Sequence, residues 1–168
     1  STWDSAVADA NNGTIGENAD AEKENAVACI YLDNNNVANA VLLRDAETAG
    51  MEIAKDMVIN LNGHKLSMTE GNITFAIHHT IGTLVVDGTK KGSSIEVKNS
   101  DKTARCIRAD AGTLTVNGGT YVATSGKSAR PIQVNDDCTA TITDCEITAF
   151  GGEKTSTGGV LNWGTATL

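Results

Sequence analysis

Short runs in which apolar and polar residues alternate recur along most of the chain. Five such runs begin at residues 58, 83, 113, 139 and 165, so successive starts lie 25 to 30 residues apart. In the second run the apolar residues Leu84 and Val86 lie on one face of the predicted strand, and Thr83 and Val85 lie on the other. Because successive side chains of a strand point to opposite faces, each run predicts a short β-strand with one buried side.

Two further strands follow most of these runs at nearly constant offsets. The apolar markers of the second strand are Leu66, Ile95, Tyr121 and Ile147, and those of the third strand are Ile77, Ile107, Ile132 and Leu161. One unit is four residues longer than its neighbours, and we place the extra residues at or close to Lys90–Ser93. The repeating unit is therefore three short strands and three turns in about 26 residues.

One such unit cannot bury its own apolar side, whereas stacked units share a continuous core. The sequence therefore predicts an all-β fold, a right-handed parallel β-helix (a solenoid) of five to six rungs with three short strands per rung. Residues 3–10 are expected to form a short N-terminal helical cap, since an uncovered solenoid end is a sticky edge. We expect residues 1–26 to be this cap and a loop, with residues 11–25 as the loop. Residues 27–168 are expected to be a single β-helix domain with an open C-terminal end.

The N-terminal part of the predicted stack is a shorter lead-in. We expect residues 29–32 to be a third strand, residues 41–43 a first strand and residues 51–53 the next third strand. The last run begins at Thr165 and is cut off at Leu168. An unpaired strand there predicts that the chain continues or that another copy docks, so we expect end-to-end self-association or a homo-oligomer.

A column of turn residues follows the first strands. It consists of Asn62, Asp87, Asn117 and Thr143, and glycine follows the first three. Asn and Gly tolerate the left-handed backbone of a sharp corner, and stacked Asn side chains can hydrogen-bond along a column. Asn-Gly and Asp-Gly are also typical of hairpins, so four unrelated turns of a β-sandwich are the alternative. The constant offsets of the second and third strands favour a β-helix with this structural ladder.

The sequence resembles the pectate-lyase-like right-handed β-helix superfamily over roughly residues 27–168. The resemblance rests on the lead-in over residues 41–66 and on the ladder column, from which Thr143 departs. Such lead-ins are common in β-helix proteins on bacterial surfaces and in phage fibres. The resemblance implies the fold. It leaves the function open, because the superfamily holds polysaccharide lyases, glycosidases, phage tailspikes, adhesins and inert structural modules.

Composition narrows the classes of function. The net charge is −8 and the 13 Lys and Arg residues are scattered, whereas a nucleic-acid groove needs them clustered. No apolar stretch of about 18 residues occurs, so we expect no membrane insertion. An acidic surface rich in Asn and Thr suits an extracellular protein of a cell surface, virion or filament. The expected function is a non-catalytic structural or adhesive module, such as a bacterial surface adhesin or a filament component.

An outward row along the third strands is the predicted ligand-binding groove. It comprises Tyr31, His78, Arg108, Gln133 and Asn162. Mixed polar and aromatic side chains along a groove are suited to a sugar chain, so surface or host glycans are the expected partners. A solvated face that binds nothing is the alternative.

No catalytic residue is expected with this function. The alternative is a polysaccharide lyase or a glycoside hydrolase, and a glycosidase needs two carboxylates at a defined separation. The candidate acids are Asp136, Asp137, Asp144 and Glu146. Calcium at the first two of these acids stays open as a cofactor. Otherwise neither a cofactor nor a metal is expected, because His78 and His79 point to opposite faces of a strand and His64 lies in another turn.

A face of threonines offers a second alternative. Its members are Thr113, Thr115, Thr139, Thr141, Thr165 and Thr167. Thr-x-Thr repeats on a β-helix resemble insect-type ice-binding arrays, so the alternative is an ice-binding protein. Threonine is also a favoured strand residue, and Val58, Asn60 and Val85 interrupt the pattern at one end.

The four cysteines are Cys29, Cys106, Cys138 and Cys145, and no Cys-x-x-Cys motif occurs. Cys29 and Cys106 share a predicted column, but two rungs put them about 9.6 Å apart, which is too far for a disulfide. Cys138 and Cys145 flank one strand. We expect buried thiols that act as small apolar residues, which leaves the redox compartment open.

Overall fold

The computed structural model describes residues 2–12, 26–152 and 156–168. The predicted N-terminal helix is present as α1, Trp3–Asn11. Thr2 caps this helix, because its hydroxyl accepts a hydrogen bond from the Ser5 N–H at 3.2 Å. The predicted loop over residues 11–25 lies largely outside the described residues. No helix in the described part of the chain has the length and apolarity needed to cross a bilayer.

Short strands make up most of the remaining described chain. They are β1 Ala28–Leu32, β2 Ala38–Leu42, β3 Ala46–Glu47, β4 Met51–Ile53, β5 Met57–Asn60, β6 Lys65–Thr69, β7 Phe75–His79, β8 Thr83–Gly88, β9 Ser94–Asn99, β10 Thr103–Gly118, β11 Thr120–Ser125, β12 Ser128–Ala129, β13 Ile132–Thr143, β14 Glu146–Gly151, β15 Ser156–Thr157, β16 Val160–Asn162 and β17 Thr165–Thr167. Two of them, β10 and β13, run through a corner and serve as a third strand and then as the next first strand.

The strands stack in parallel into a β-helix of about four turns. The first-strand column is β2, β5, β8, the second half of β10, the second half of β13, and β17. The second-strand column is β3, β6, β9, β11 and β14. The third-strand column is β4, β7, the first half of β10, the first half of β13, and β16. About four turns compare with the five to six rungs expected, and β1 lies outside the stack because it pairs antiparallel with β2.

The predicted alternation of buried and outward residues is confirmed. Leu84 pairs with Leu114, and Val86 pairs with Val116, and all four side chains are fully buried. The second strands add Ile95 and its neighbours to the same core. Each large aliphatic side chain buried in this way contributes roughly 1.5–3 kcal/mol through the hydrophobic effect. Stacked apolar columns therefore hold the rungs together.

The helix α1 covers the N-terminal end of this core. It buries Trp3, Ala6, Val7 and Ala10 against β1, β2 and β4. The Asn11 side chain donates a hydrogen bond to the Glu52 carbonyl oxygen of β4. The predicted helical cap is thus attached to the first coil by both apolar packing and a polar contact.

The register of the first repeat differs from the prediction by two residues. Asn60, rather than Asn62, pairs with Asp87. A shift of two keeps every side chain on its own face, so alternation alone cannot detect it. The observed ladder column is Asn60, Asp87, Asn117 and Thr143. Asn62 instead sits in the corner with a φ of 51°, and its amide donates to the Leu42 carbonyl oxygen at 2.8 Å.

The ladder column is not a continuous chain of hydrogen bonds. Thr143 Oγ1 donates to Asn117 Oδ1 at 3.0 Å, which joins two rungs. Asp87 Oδ1 instead accepts from the N–H and the hydroxyl of Thr89, in its own corner. The column therefore shapes each corner locally and links only one pair of rungs through its side chains.

The segment expected to be the earliest third strand is part of a hairpin. β1 pairs antiparallel with β2, which places Tyr31 opposite Asn39. Asp33 Oδ1 accepts from the N–H groups of Asn35 and Val37 at 2.8 and 2.9 Å and so fixes the turn. A side-chain oxygen that binds backbone two residues on is typical of Asx turns, and this was the local signal for a hairpin.

The corners absorb differences in rung length. Gly88 pairs with Gly118, and Ser94 pairs with Thr120, so the β8–β9 corner holds four more residues than the β10–β11 corner. This confirms the predicted insertion around Lys90. The pairing on either side of the insertion stays in register, so the extra residues lie outside the stack.

Candidate functional site

Three of the five contacts between oppositely charged side chains of the described residues lie on the outward face of the third strands. Its central column is Glu52, His78, Arg108, Gln133 and Leu161, one from each rung. The structure thus places three members of the predicted groove side by side. Tyr31 lies in the β1 hairpin, and Asn162 pairs with Val134, so neither belongs to this column. We call the following residues the polar face: Glu52, His78, Arg105, Arg108, Asp110, Arg130, Gln133, Asn135 and Trp163.

Asp110 is the centre of a hydrogen-bond network on the polar face. Its Oδ1 accepts from Arg108 Nε at 2.8 Å and from Asn135 Nδ2 at 2.5 Å. Its Oδ2 lies 2.6 Å from His78 Nε2. The other ring nitrogen of His78 lies 3.8 Å from Glu52 Oε2. One carboxylate therefore holds side chains from three successive rungs.

A second set of hydrogen bonds runs beside this network. Arg105 Nε donates to Gln133 Oε1 at 2.6 Å, and its Nη1 donates to Thr74 Oγ1 at 2.7 Å. Gln133 Nε2 in turn donates to Asn135 Oδ1 at 2.8 Å. Gln133 is only 3% exposed. Its amide is a buried link between the Arg105 guanidinium and the network around Asp110, and such a satisfied network rigidifies the surface above it.

Trp163 supplies an exposed aromatic surface next to the network. It is 56% exposed, and its backbone N–H donates to the Val134 carbonyl oxygen at 2.9 Å. The Arg130 guanidinium carbon lies 6.0 Å from the centroid of the indole ring, within the range of a cation–π interaction. The arginine side of the polar face is therefore continuous with a flat apolar platform.

The charges of the polar face follow from its contacts. Desolvation alone would raise the pKa of Asp110, but the hydrogen bonds from Arg108 and His78 outweigh it and lower that pKa. Asp110 is therefore a carboxylate at neutral pH. Burial, together with the nearby charges of Arg108 and Arg130, lowers the pKa of Arg105 to about 10. Arg105 remains positively charged at pH 7.

Sequence inspection missed most of the polar face. The missed residues are Glu52, Arg105, Asp110, Arg130, Asn135 and Trp163. Arg105 and Arg108 are three apart and would point to opposite faces of a regular strand. However, the N–H groups of Cys106 and Ile107 both donate to the Pro131 carbonyl oxygen at 2.9 Å, as in a β-bulge. The bulge turns both arginines outward, and the adjacent apolar pair Cys106-Ile107 was its sequence signal.

The third-strand marker at the C-terminal end was also misplaced. Val160, rather than Leu161, pairs with Ile132, and Leu161 pairs with Gln133. A shift of one residue exchanges the two faces of a strand. This shift removes Asn162 from the outward row in which it was expected.

The candidate catalytic acids do not share one site. Asp136 and Asp137 lie at the corner before the second half of β13, whereas Asp144 and Glu146 lie beyond its end. Seven residues of extended chain span roughly 20 Å, while glycosidase carboxylates lie about 5–9.5 Å apart. Asp144 and Glu146 line a polar cleft of about 420 Å³ whose other wall is the inserted corner with Lys90. The four acids therefore form two separate pairs.

The predicted threonine face is in register. Its two columns are Thr113, Thr139 and Thr165, and Thr115, Thr141 and Thr167. Among the described residues, none of these six hydroxyls has a hydrogen-bond partner in the protein. The face therefore presents hydroxyl and methyl groups about 4.8 Å apart between rungs and about 6.6 Å apart along each strand.

All four cysteines are free thiols. Cys29 belongs to the β1 hairpin, so the expected column that joined it to Cys106 does not exist. Burial raises the pKa of Cys106, Cys138 and Cys145. Thiols with a raised pKa are poor nucleophiles, so these three side chains act as packing groups.

The described residues contain no group of three His, Cys, Asp or Glu side chains that could hold a metal ion. His64 lies 3.6 Å from Asp45, while His79 is fully buried, with Nε2 3.2 Å from the Gly82 carbonyl oxygen. The three histidines therefore occupy three different environments. Neither protein-family models, nor curated proteins, nor solved structures yield a match to this chain.

Proposed function

We propose that this chain is a non-catalytic β-helix module that binds glycans on its polar face. The observation that carries the proposal is the hydrogen-bonded network around Asp110, which adjoins the exposed ring of Trp163. Sugars offer many hydroxyls and a flat apolar ring face. A rigid array of donors and acceptors next to an indole is complementary to both.

Rigidity supports binding because the protein loses little conformational entropy when a ligand binds. The side chains of the polar face are held to one another across rungs, so their entropy is already reduced in the free protein. Most of their backbones belong to strands of the stack, while Arg130 and Trp163 lie in short links between strands. A polysaccharide is itself a repeating chain, and its successive units suit a surface built from successive rungs.

Membership of the pectate-lyase-like superfamily is part of the same proposal. It is supported by the parallel stack, the three columns of strands and the Asn and Asp residues of the ladder column. An extracellular module of a cell surface, virion or filament, with copies associated end to end, is the setting we propose for it. The acidic charge and the dominance of stacked strands are consistent with this setting.

The test is a panel of neutral and acidic glycans presented to the full chain, with affinity measured by calorimetry. We expect Trp163→Ala to weaken binding roughly tenfold or more, since aromatic anchors dominate such contacts. Phe150→Ala is the matched control, because Phe150 is 55% exposed but lies on the second-strand face. Equal affinity of the two variants would reject the polar face as the binding surface. A panel without any ligand would reject the function.

A second candidate function is the binding of ice by the threonine face. The observation in its favour is the in-register pair of threonine columns with free hydroxyls. Thermal hysteresis of the wild-type chain is the direct measurement. Thr141→Lys should abolish it by placing a charge in the array, whereas Thr124→Lys on the second-strand face should leave it intact. A wild-type chain without hysteresis would remove this candidate.

A further inference from the structure

Three arginines gather on the polar face of an acidic protein. Ala104 pairs with Ala129, and the Arg130 N–H donates to the Ala104 carbonyl oxygen at 2.9 Å, so Arg105 and Arg130 lie on neighbouring rungs. Neighbouring strands are about 4.8 Å apart. Arg108 follows three residues after Arg105 on the same face.

Among the described residues, only one of these arginines forms an ion pair with a carboxylate. Arg108 pairs with Asp110 at 2.8 Å. Within the described residues, neither Arg105 nor Arg130 forms an ion pair with Asp or Glu. The chain carries 21 acidic residues and a net charge of −8, yet among the described residues Asp110 attracts Arg105 only from beyond ion-pair distance. Two like charges held close together on a partly buried surface repel each other, and an anion placed between them would reverse that repulsion.

The Arg105 guanidinium has donors left for such an anion. Two of its five N–H donors are used by Gln133 and Thr74. Three donors remain, and they include both hydrogens of the free terminal nitrogen. A planar carboxylate or a tetrahedral sulfate can accept from N–H groups of both terminal nitrogens in a bidentate manner. The buried amide of Gln133 keeps the guanidinium in place.

We propose that the polar face recognises an acidic sugar residue, with its carboxylate or sulfate group between Arg105 and Arg130 and its ring against Trp163. The inference rests on the proposed glycan-binding function and narrows it to a class of ligand. A carboxylate and a sulfate group are both suited to this position, because each presents negatively charged oxygens to the N–H donors. A long polyphosphate chain needs an extended, positively charged surface. It is disfavoured here because the protein carries a net negative charge.

The experiment uses three probes with one backbone: short chains of dextran, carboxymethyl-dextran and dextran sulfate of equal length. Binding to the wild-type chain is compared with Arg105→Gln and Arg130→Gln at several salt concentrations. Lys98→Gln is the control, since it removes the same charge from the second-strand face. We expect each arginine variant to bind the charged dextrans at least tenfold more weakly, with a shallower salt dependence, while the control binds as the wild type does.

Arg130→Gln keeps the test interpretable if Arg105→Gln perturbs folding. Arg105 holds Gln133 and Thr74, whereas the only described side-chain contact of Arg130 is the Trp163 ring. Preference for carboxymethyl-dextran or for dextran sulfate identifies the source of the anion, and either preference supports the inference. Charged dextrans that bind the arginine variants and the control alike overturn it.

Two outcomes distinguish the preference for an acidic sugar from glycan binding in general. A neutral glycan whose affinity depends on Trp163 but not on Arg105 or Arg130 would keep the function and overturn the acidic ligand. A short single-stranded DNA that binds as tightly as carboxymethyl-dextran, with the same dependence on the arginines, would overturn the sugar and leave only an anion site.

Discussion

His78 Nε2 lies 2.6 Å from Asp110 Oδ2, although 32 residues of chain separate them. The two residues belong to neighbouring rungs, and the short bond ties these rungs together on the outside of the stack. Most stabilisation of a solenoid comes from its buried columns. Here a charged contact adds a tie at the surface, at the same place where a ligand is proposed to bind.

Asp110→Asn should destabilise the protein by roughly 1–3 kcal/mol, because it removes the charge that three donors share and leaves some of them unpaired. Urea unfolding at pH 7 measures the change. Asp136→Asn is the control, since Asp136 is exposed at the equivalent corner of the next rung and its replacement should change stability little. Equal stability of the two variants would show that the network contributes nothing to folding.

The stabilising effect of Asp110 on the folded protein should be lost at acidic pH. Its pKa is lower in the folded state than in the unfolded chain, so its stabilising effect is complete above the unfolded value, about 3.9. The effect is lost as the pH falls through the folded value. The difference in unfolding free energy between wild type and Asp110→Asn should therefore be constant from pH 7 to about 5 and shrink below about pH 4. A difference that stays constant down to pH 2 would contradict this.

His79 should make the protein less stable in weak acid. Burial lowers the pKa of His79, so the folded state favours the neutral ring. Above the unfolded pKa of about 6.5, the free energy of unfolding does not depend on the protonation of His79. Below that value the unfolded chain takes up the proton more readily than the folded protein, so the free energy of unfolding falls. His79→Gln keeps a donor for the Gly82 carbonyl oxygen and should lose less stability than the wild type between pH 7.5 and 5.5. Equal losses in urea unfolding would argue against this role.

Gly112→Ala should be strongly destabilising, by at least about 2 kcal/mol. Gly112 has a φ of 83°, and an added Cβ would meet the Gly82 carbonyl oxygen of the next rung well inside van der Waals contact. Thermal unfolding compares it with Gly158→Ala, where no described atom beyond the two adjacent residues lies within 4 Å of the added carbon. A stable Gly112→Ala protein would show that the corner can open without loss of the stack.

Tyr121→Phe should leave stability unchanged or raise it by up to about 1 kcal/mol. The Tyr121 hydroxyl is buried, and it forms no hydrogen bond with any described group. Urea unfolding is the measurement, and Tyr31→Phe, on an exposed ring, is the control. A loss of more than about 1 kcal/mol would reveal a partner for the hydroxyl.

The stack itself was predictable, because its information is local and repeated. Each first strand alternates buried and outward residues, and the register of the first-strand column from β8 to β17 follows from aligning Thr83, Thr113, Thr139 and Thr165. The first repeat was misaligned by two residues, since Asn60 and Asn62 have the same residue type and the same parity. Only the backbone pairing of Asn60 with Asp87 distinguishes them.

The polar face was only partly predictable, because a bulge and two corners shape it. His78, Arg108 and Gln133 lie on one column and follow from the repeat. Arg105 joins them through the bulge at Cys106. Asp110 and Asn135 follow the third strands, at positions where alternation no longer predicts direction. Contacts between side chains from three rungs depend on these local departures from regularity.

The inserted corner around Lys90 shows how such a protein can change without refolding. Four additional residues leave the strands on both sides in the same register. Corner length and strand pairing are therefore independent variables of this architecture. A lineage of such proteins can lengthen one corner at a time and acquire new surface loops, while the rod that carries them keeps its dimensions.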